Sequence, residues 1–151
     1  SAAERLRTIM DAAASYKSRH ADASQAAFLY TNENFALRHR LFEEWRHQAR
    51  LVLLPVITDG LADGSMHVAS AEGATDIVLL LWLDAADQLW TRAVRAADAD
   101  AFVQVLVNGS VSILKAQERV LGLPDGTLAI PIGPEVRELL VKLHATLDRK
   151  Q

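Results

Sequence analysis

Apolar residues recur every three or four positions along most of the chain, which is the period of an amphipathic α-helix and not of a strand. The pattern predicts a first helix over residues 2–20. It also predicts a short helix around residues 23–31, with Asp22 as a capping residue and with Phe28 and Tyr30 among its apolar positions. The chain therefore begins as a helical protein.

A long amphipathic helix is predicted from Glu33 onward, with Phe42 and Trp45 among its apolar residues and charged residues on the opposite face. Pro55 lies inside this segment. Because proline removes one backbone hydrogen bond from a helix, we expect a kink near residues 51–54.

Two glycines and a serine mark the connection that follows. Gly60 and Gly64 are suited to the left-handed backbone that ends helices, and Ser70 is suited to the cap of the next helix. That helix runs through Trp82 toward Trp90 and is apolar almost all round. This composition predicts a position in the centre of the domain.

Two more helices are predicted near the end of the chain. The first runs from about Asp98 to Leu121, and the second begins at Pro134, a residue favoured in the first turn of a helix. Both helices carry more apolar positions than a single core face can use. The sequence thus predicts one all-α domain over residues 1–151, built as a bundle of about six helices.

Composition narrows the possible partners. The chain has 151 residues, of which half are apolar, and a formal net charge of −3, which does not favour nucleic-acid or anionic-membrane binding. It has no cysteine, so disulfides and thiolate chemistry are excluded. The longest apolar run, Ile77–Leu83, is far shorter than a membrane span. We expect a cytoplasmic protein with no membrane partner.

The phrase "ITDGLADGSMHV", followed by a serine cap and the apolar helix "IVLLLWL", and later by "ILKAQERVLGLPDG", resembles the C-terminal domain of TetR/AcrR-type transcriptional regulators. In that family a long helix ends in a similar glycine phrase, with phenylalanine more usual where Met66 stands here. The resemblance covers roughly Ala2 to Leu147.

This resemblance implies a ligand-sensing domain that is not an enzyme, needs no cofactor and forms a homodimer through its last two helices. The family binds DNA through an N-terminal helix-turn-helix, which has no counterpart in these residues. We therefore expect a fragment of a longer regulator, in which a small-molecule effector modulates DNA binding by the missing segment.

Aromatic side chains from several predicted helices are suited to an apolar effector cavity with a few polar anchors. The predicted ligand-binding residues are Phe28, Tyr30, Phe42, Trp45, Trp82 and Asp84. Two other interpretations stay open, since aromatic residues at helical spacing also form ordinary cores. Asp84, together with Asp87, would equally be explained by a helix that emerges into solvent.

The apolar excess of the last two helices predicts a four-helix bundle around a two-fold axis. The predicted dimer contacts are Phe102, Leu106, Gly109, Ile113, Val136, Leu140, Leu143 and Leu147. Gly109 would allow the helices to approach closely.

Two alternative functions remain at this stage. Glu44 and His47 have the Glu-x-x-His spacing of di-iron bundles, which would fit a small metal or cofactor enzyme. Such sites need a second pair of this kind, and the sequence contains none, so a solvated polar face is the simpler interpretation. The other alternative is a helical adaptor that only dimerises.

Overall fold

A computed structural model of the protein describes residues 1–20, 28–29 and 32–148. Within these ranges the regular structure is helical and no strand occurs, so the all-α prediction is confirmed. The described part contains five helical rods. The short helix predicted around residues 23–31 lies outside the described residues, except for Phe28 and Leu29.

Helix α1 (Ala2–His20) and helix α2 (Phe35–Asp63) are antiparallel neighbours, and a short 3-10 turn at Asn32–Asn34 precedes α2. Arg5 lies near the start of α1 and its Nη2 atom is 2.6 Å from Oδ2 of Asp59, near the end of α2. The 29-residue helix α2 continues through its internal proline, so this residue does not terminate it. The predicted kink stays a prediction.

Asp63 ties the beginning of α1 to the end of α2. Its Oδ2 atom accepts the N–H of Ala2 at 2.9 Å, and its Oδ1 atom accepts the N–H of Ser65 at 2.8 Å. The Ser65 hydroxyl, together with these two N–H groups, lowers the pKa of the Asp63 carboxyl from 3.8 to about 2.

The third rod is built of three consecutive segments: α3 (Ala71–Leu79), a π-helical turn (Leu80–Ala85) and α4 (Ala86–Ala93). Oγ of Ser70 accepts the N–H of Gly73 at 2.9 Å, so the predicted cap is confirmed. The sequence predicted one uninterrupted α-helix here, and the π turn is an additional feature.

Helices α5 (Ala99–Leu121) and α6 (Pro134–Asp148) begin where the sequence predicted. Oδ1 of Asp98 accepts the N–H of Ala101 at 2.8 Å and caps α5. Helix α6 packs against α5.

The two glycines after the predicted kink have different roles. Gly64 is left-handed, with φ of 74°, as predicted. Gly60 is not: it is buried within α2, and a Cβ atom there would lie only 2.6 Å from Sδ of Met66. The prediction for Gly60 was therefore wrong, because the missing side chain makes room for Met66 and does not reverse the chain.

Gly122 joins the end of α5 to the loop before α3. It is left-handed, with φ of 63°, and a Cβ atom there would lie 2.7 Å from the carbonyl oxygen of His67. The N–H of His67 donates to the carbonyl of Leu121 at 2.9 Å. Only glycine permits both the backbone conformation and the approach.

A buried carboxylate organises the loop after α5. Glu118 is 1% exposed, and its two oxygens accept the N–H groups of Gly126 at 3.0 Å and Leu128 at 2.7 Å. These hydrogen bonds offset the cost of burying the charge. The neighbouring Gln117 is equally buried, yet its Oε1 atom has no hydrogen-bond partner.

The apolar interior forms two clusters. The main cluster joins α1, α2, α3 and the C-terminal half of α5. Its buried residues are Ala2, Leu6, Leu53, Val56, Ile57, Met66, Ala71, Ala74, Val78, Leu79, Leu114, Leu121, Leu123 and Leu128. The second cluster joins α4, the N-terminal half of α5 and α6, and its buried residues are Ala93, Phe102 and Val103. Every helix in the described ranges is too short or too polar to cross a membrane.

Candidate functional site

Three arginines of α2 pair with three aspartates of the third rod. In order along α2 the pairs are Arg38–Asp87, Arg46–Asp84 and Arg50–Asp76. The arginine numbers rise while the aspartate numbers fall, so the rod runs antiparallel to α2. We refer to these three pairs as the arginine–aspartate ladder.

The middle pair is the best defined by geometry. Nη2 of Arg46 donates to Oδ2 of Asp84 at 2.8 Å, with the two side chains 26% and 51% exposed. This hydrogen bond raises the pKa of the Arg46 guanidinium. Asp84, a predicted ligand anchor, is therefore engaged by an arginine, and a polar ligand group at this position would have to compete with that ion pair.

Asp87 lies deeper than Asp84. Its side chain is 17% exposed, and its Oδ1 atom is 3.8 Å from Nε of Arg38. The sequence left open whether the two aspartates face a cavity or solvent. The structure places Asp84 at the surface and Asp87 partly buried, each beside an arginine of α2.

The predicted aromatic residues do not all come together. The rings of Phe42 and Trp45 lie 5.2 Å apart between centroids, but Trp45 is 44% exposed. Trp82 packs against the main cluster, Phe28 is 55% exposed, and Tyr30 lies outside the described residues. A common effector cavity walled by these side chains stays a prediction.

A groove of about 540 Å³ lies between α4 and α5. This volume is within the range of small-molecule sites. The groove is lined by Ala85, Leu89, Arg92, Ala101, Gln104, Val105, Asn108, Gly109, Ser112 and Ile113. Most of these side chains are small or apolar, and Arg92 supplies the formal charge. We refer to it as the α4–α5 groove.

Gly109 on α5 lies in close contact with the side chain of Leu89 on α4. A Cβ atom there would lie 2.2 Å from Cδ1 of Leu89, which is 4% exposed. The sequence predicted that Gly109 would let a helix of a partner chain approach. In the structure the element that approaches it is α4 of the same chain. The missing side chain of Gly109 thus accommodates Leu89 within the chain, and because Gly109 is only partly buried, its predicted dimer contact stays a prediction.

Phe102 is also internal to the chain. It is 0% exposed, and its ring centroid lies 5.9 Å from that of Trp90 and 5.1 Å from that of His144. A side chain without exposed surface cannot bury more area against a partner. The prediction of Phe102 as a dimer contact was therefore wrong, and its role is to hold α4, α5 and α6 together.

The other predicted dimer contacts keep some exposed surface. Leu140, Leu143 and Leu147 are partly buried, and they pack against the second cluster from α6. Leu106 is partly buried on α5, Ile113 lines the α4–α5 groove, and Val136 is 38% exposed.

The second cluster has many half-covered apolar neighbours for its size. Three buried residues are surrounded by nine that are only partly buried. The nine are Trp90, Val94, Ala96, Val105, Leu106, Val107, Leu140, Leu143 and Leu147. Val111, Val136, Leu139 and Val141, also on α5 and α6, are each about two-fifths exposed.

The Glu-x-x-His pair lies on the surface of α2. Glu44 and His47 are both exposed, and Oε1 of Glu44 accepts a hydrogen bond from Nε2 of Gln48 at 2.8 Å. Over the described residues, no three or more histidine or acidic side chains group closely enough to hold a metal ion. The pair thus occupies the solvated face that the simpler interpretation assigned to it.

Sequence reasoning missed the arginine side of the ladder. Arg38 and Arg46 were assigned only to the polar face of the long helix and Arg50 was given no role, although each pairs with an aspartate on the next rod. The available signal was an arginine-rich helix face preceding an apolar helix interrupted by aspartates. The closeness of Leu89 to Gly109 had no signal in either segment alone.

Comparison of the chain with protein-family models, with curated proteins and with solved structures gives no match. The resemblance to TetR-type domains stays a prediction that depends on the glycine phrase and the order of helices.

Proposed function

We propose that the chain is the effector-binding and dimerisation domain of a TetR-like transcriptional regulator. In this proposal a small apolar effector binds between α1, α2 and the third rod. The effector would bind one of two conformations of the domain more tightly than the other. Effector binding would thereby shift the domain toward that conformation and change DNA binding by the DNA-binding segment. The protein would act in the cytoplasm, without a catalytic step.

The observation that carries the proposal is the incomplete burial of the second cluster. Its partly buried apolar residues lie on α4, α5, α6 and the loop between α4 and α5, and α5 and α6 are the helices through which TetR-type domains dimerise. Apolar surface of this extent favours association, because contact with a second copy removes it from water.

The effector side is supported by the composition of the surface between α2 and the rod. Phe42 and Trp45 are adjacent aromatic side chains on α2, within one helical turn of Arg46, and the Arg46–Asp84 pair provides polar groups. Small-molecule sites combine a mostly apolar wall with a few oriented polar groups in the same way.

Sedimentation equilibrium of the purified chain tests the dimer. We expect twice the 16.6 kDa mass of one chain at micromolar concentration. Such an interface should bury more than about 1,000 Å² in total. A chain that sediments as a monomer would refute the proposal.

A matched pair of α6 variants locates the interface. Val136 and Val141 are 38% and 41% exposed, and their five-residue separation places them about 140° apart around the helix axis. Val136→Asp should dissociate the dimer, because the charge would be buried at the seam. Val141→Asp should leave the dimer intact. Equal effects would place the contact elsewhere.

Native mass spectrometry of the same sample tests effector binding. A small molecule that stays bound to the dimer, and that is lost in Trp82→Ala, would support the effector site. A dimer to which no small molecule binds would instead fit the helical adaptor.

A further inference from the structure

The π-helical turn at Leu80–Ala85 contacts three different parts of the molecule. Trp82 packs against the main cluster, Asp84 pairs with Arg46 of α2, and Ala85 lines the α4–α5 groove. Turns of this kind hold one residue more than an α-turn, and they are frequent at functional sites. A change in this turn would therefore reach the effector side and the groove together.

The extra residue sets the register of α4 against α5. Removing it would rotate α4 by about 100° and shift it by about 1.5 Å relative to α3. Leu89 would then leave its position over Gly109, where its side chain occupies the space that a Cβ atom on residue 109 would need. The contact between Leu89 and Gly109 thus fits one register of the rod.

The segments before and after the turn each have their own contacts. Downstream, Asp87 of α4 lies 3.8 Å from Arg38 of α2. Leu89 packs over Gly109, so both contacts would change if α4 rotated.

Upstream of the turn, α3 is fixed by its Ser70 cap and by the pairing of Asp76 with Arg50. Within the turn, Asp84 is held by Arg46. The Arg46–Asp84 pair is the rung of the ladder that bears on the turn itself.

We propose that this turn is a register switch between the effector side and the α4–α5 groove, with Asp84 as the positioning residue that holds it in the π form. When the contact of Asp84 with Arg46 is lost, the turn closes to an α-turn and α4 rotates, which moves Leu89 and the groove wall. As a route for regulation, this inference rests on the proposed function.

Amide hydrogen exchange on two matched variants tests the role of Asp84. Asp84→Asn and Asp76→Asn each weaken one arginine pair between α2 and the rod, and the side chains are 51% and 63% exposed. We expect Asp84→Asn to speed exchange in Ala86–Ala93 by about two- to fivefold, the range expected for a partly exposed pair. Asp76→Asn should leave these amides unchanged. Equal rates in the two variants would overturn the proposal.

A double-mutant cycle tests the register. In the wild-type background, Gly109→Ala should lower the melting temperature by about 3 °C or more, because the new methyl group overlaps Leu89. After deletion of Leu83, which removes the extra residue, the same substitution should no longer be destabilising. An equal loss in both backgrounds would contradict the register switch.

The two experiments separate the possible failures. If the deletion variant does not fold, the exchange comparison decides the proposal without it. A wild-type chain that is monomeric but shows the Asp84-specific exchange would retain the switch and refute the proposed function. A chain that is dimeric but lacks this exchange difference would refute the switch and retain the proposed function.

Discussion

The two apolar clusters differ in how completely one chain covers them. The main cluster has fourteen buried residues and nine partly buried neighbours. The second cluster also has nine partly buried neighbours, but only three buried residues. The main cluster is enclosed by α1, α2, α3, the C-terminal half of α5 and the loop after α5. The second is closed mainly by α6, whose apolar residues stay partly exposed.

The difference indicates that one region stabilises the fold of the single chain and that the other is suited to association. A region whose apolar residues are fully covered contributes stability to the single chain. A region with many half-covered apolar residues gains stability when another surface covers it. The second cluster is therefore where we expect association, and the main cluster is where we expect the folding of one chain to be decided.

The largest contrast should come from shortening one leucine in each region. Leu53→Ala removes a side chain that is 0% exposed in the main cluster, and should lower the free energy of unfolding by about 2–5 kcal/mol. Leu106→Ala, at a partly buried position, should cost about 1 kcal/mol in the single chain and weaken the dimer as well. Urea titration and sedimentation of both variants measure the two effects. If Leu53→Ala weakened the dimer more than Leu106→Ala, the proposed division would be wrong.

The contact that closes the main cluster at the end of α5, between Gly122 and the backbone of His67, can be tested by substituting this glycine. Gly122→Ala forces a left-handed alanine, which costs about 1–2 kcal/mol. The overlap with the His67 backbone should add about 1–3 kcal/mol. Gly126→Ala is the control, since Gly126 is also left-handed but has no atom within 4 Å of the added methyl group. Thermal unfolding should separate the two variants, and equal losses would exclude the contact with His67.

Two neighbouring buried residues on α5 should respond in opposite directions. Glu118→Gln removes one of two accepting oxygens and leaves the N–H group of Gly126 or Leu128 without its acceptor, which should cost about 1–3 kcal/mol. Gln117→Leu removes an oxygen without a partner, and should be neutral or stabilising. Urea midpoints of the two variants provide the measurement. A destabilised Gln117→Leu would mean that Gln117 makes a hydrogen bond in solution.

The smallest expected effect is the pH dependence of the contact between α1 and α2. The pKa of Asp63 is about 2 in the folded chain, compared with 3.8 for an aspartate without these hydrogen bonds. Its contribution to the stability of the fold is therefore present above pH 3.8 and is lost as the pH falls toward 2. The stability difference between the wild type and Asp63→Asn should shrink over that interval. A difference that does not change with pH, measured by urea unfolding at each pH, would show that the carboxylate charge is not involved.

Much of the secondary structure could be predicted from the sequence, because helices depend on local signals. The cap at Ser70, the start of α5 near Asp98, the start of α6 at Pro134 and the left-handed Gly64 each follow from the chemistry of one residue and its near neighbours. Apolar periodicity was sufficient for the all-α class and for the excess of apolar residues on the last two helices.

The tertiary structure decided which partner each residue meets. Gly60 was predicted to end a helix but accommodates Met66 from within it, and Gly109 was predicted to let a partner helix approach but accommodates Leu89 of the same chain. Phe102 read as an interface residue because its periodicity marks an apolar face without saying what covers that face. The ladder joins residues 26 to 49 positions apart, as in Arg50–Asp76 and Arg38–Asp87. Hydrophobic pattern and propensity are properties of one segment, whereas close approach, ion pairing and helix register depend on two, and only packing determines them.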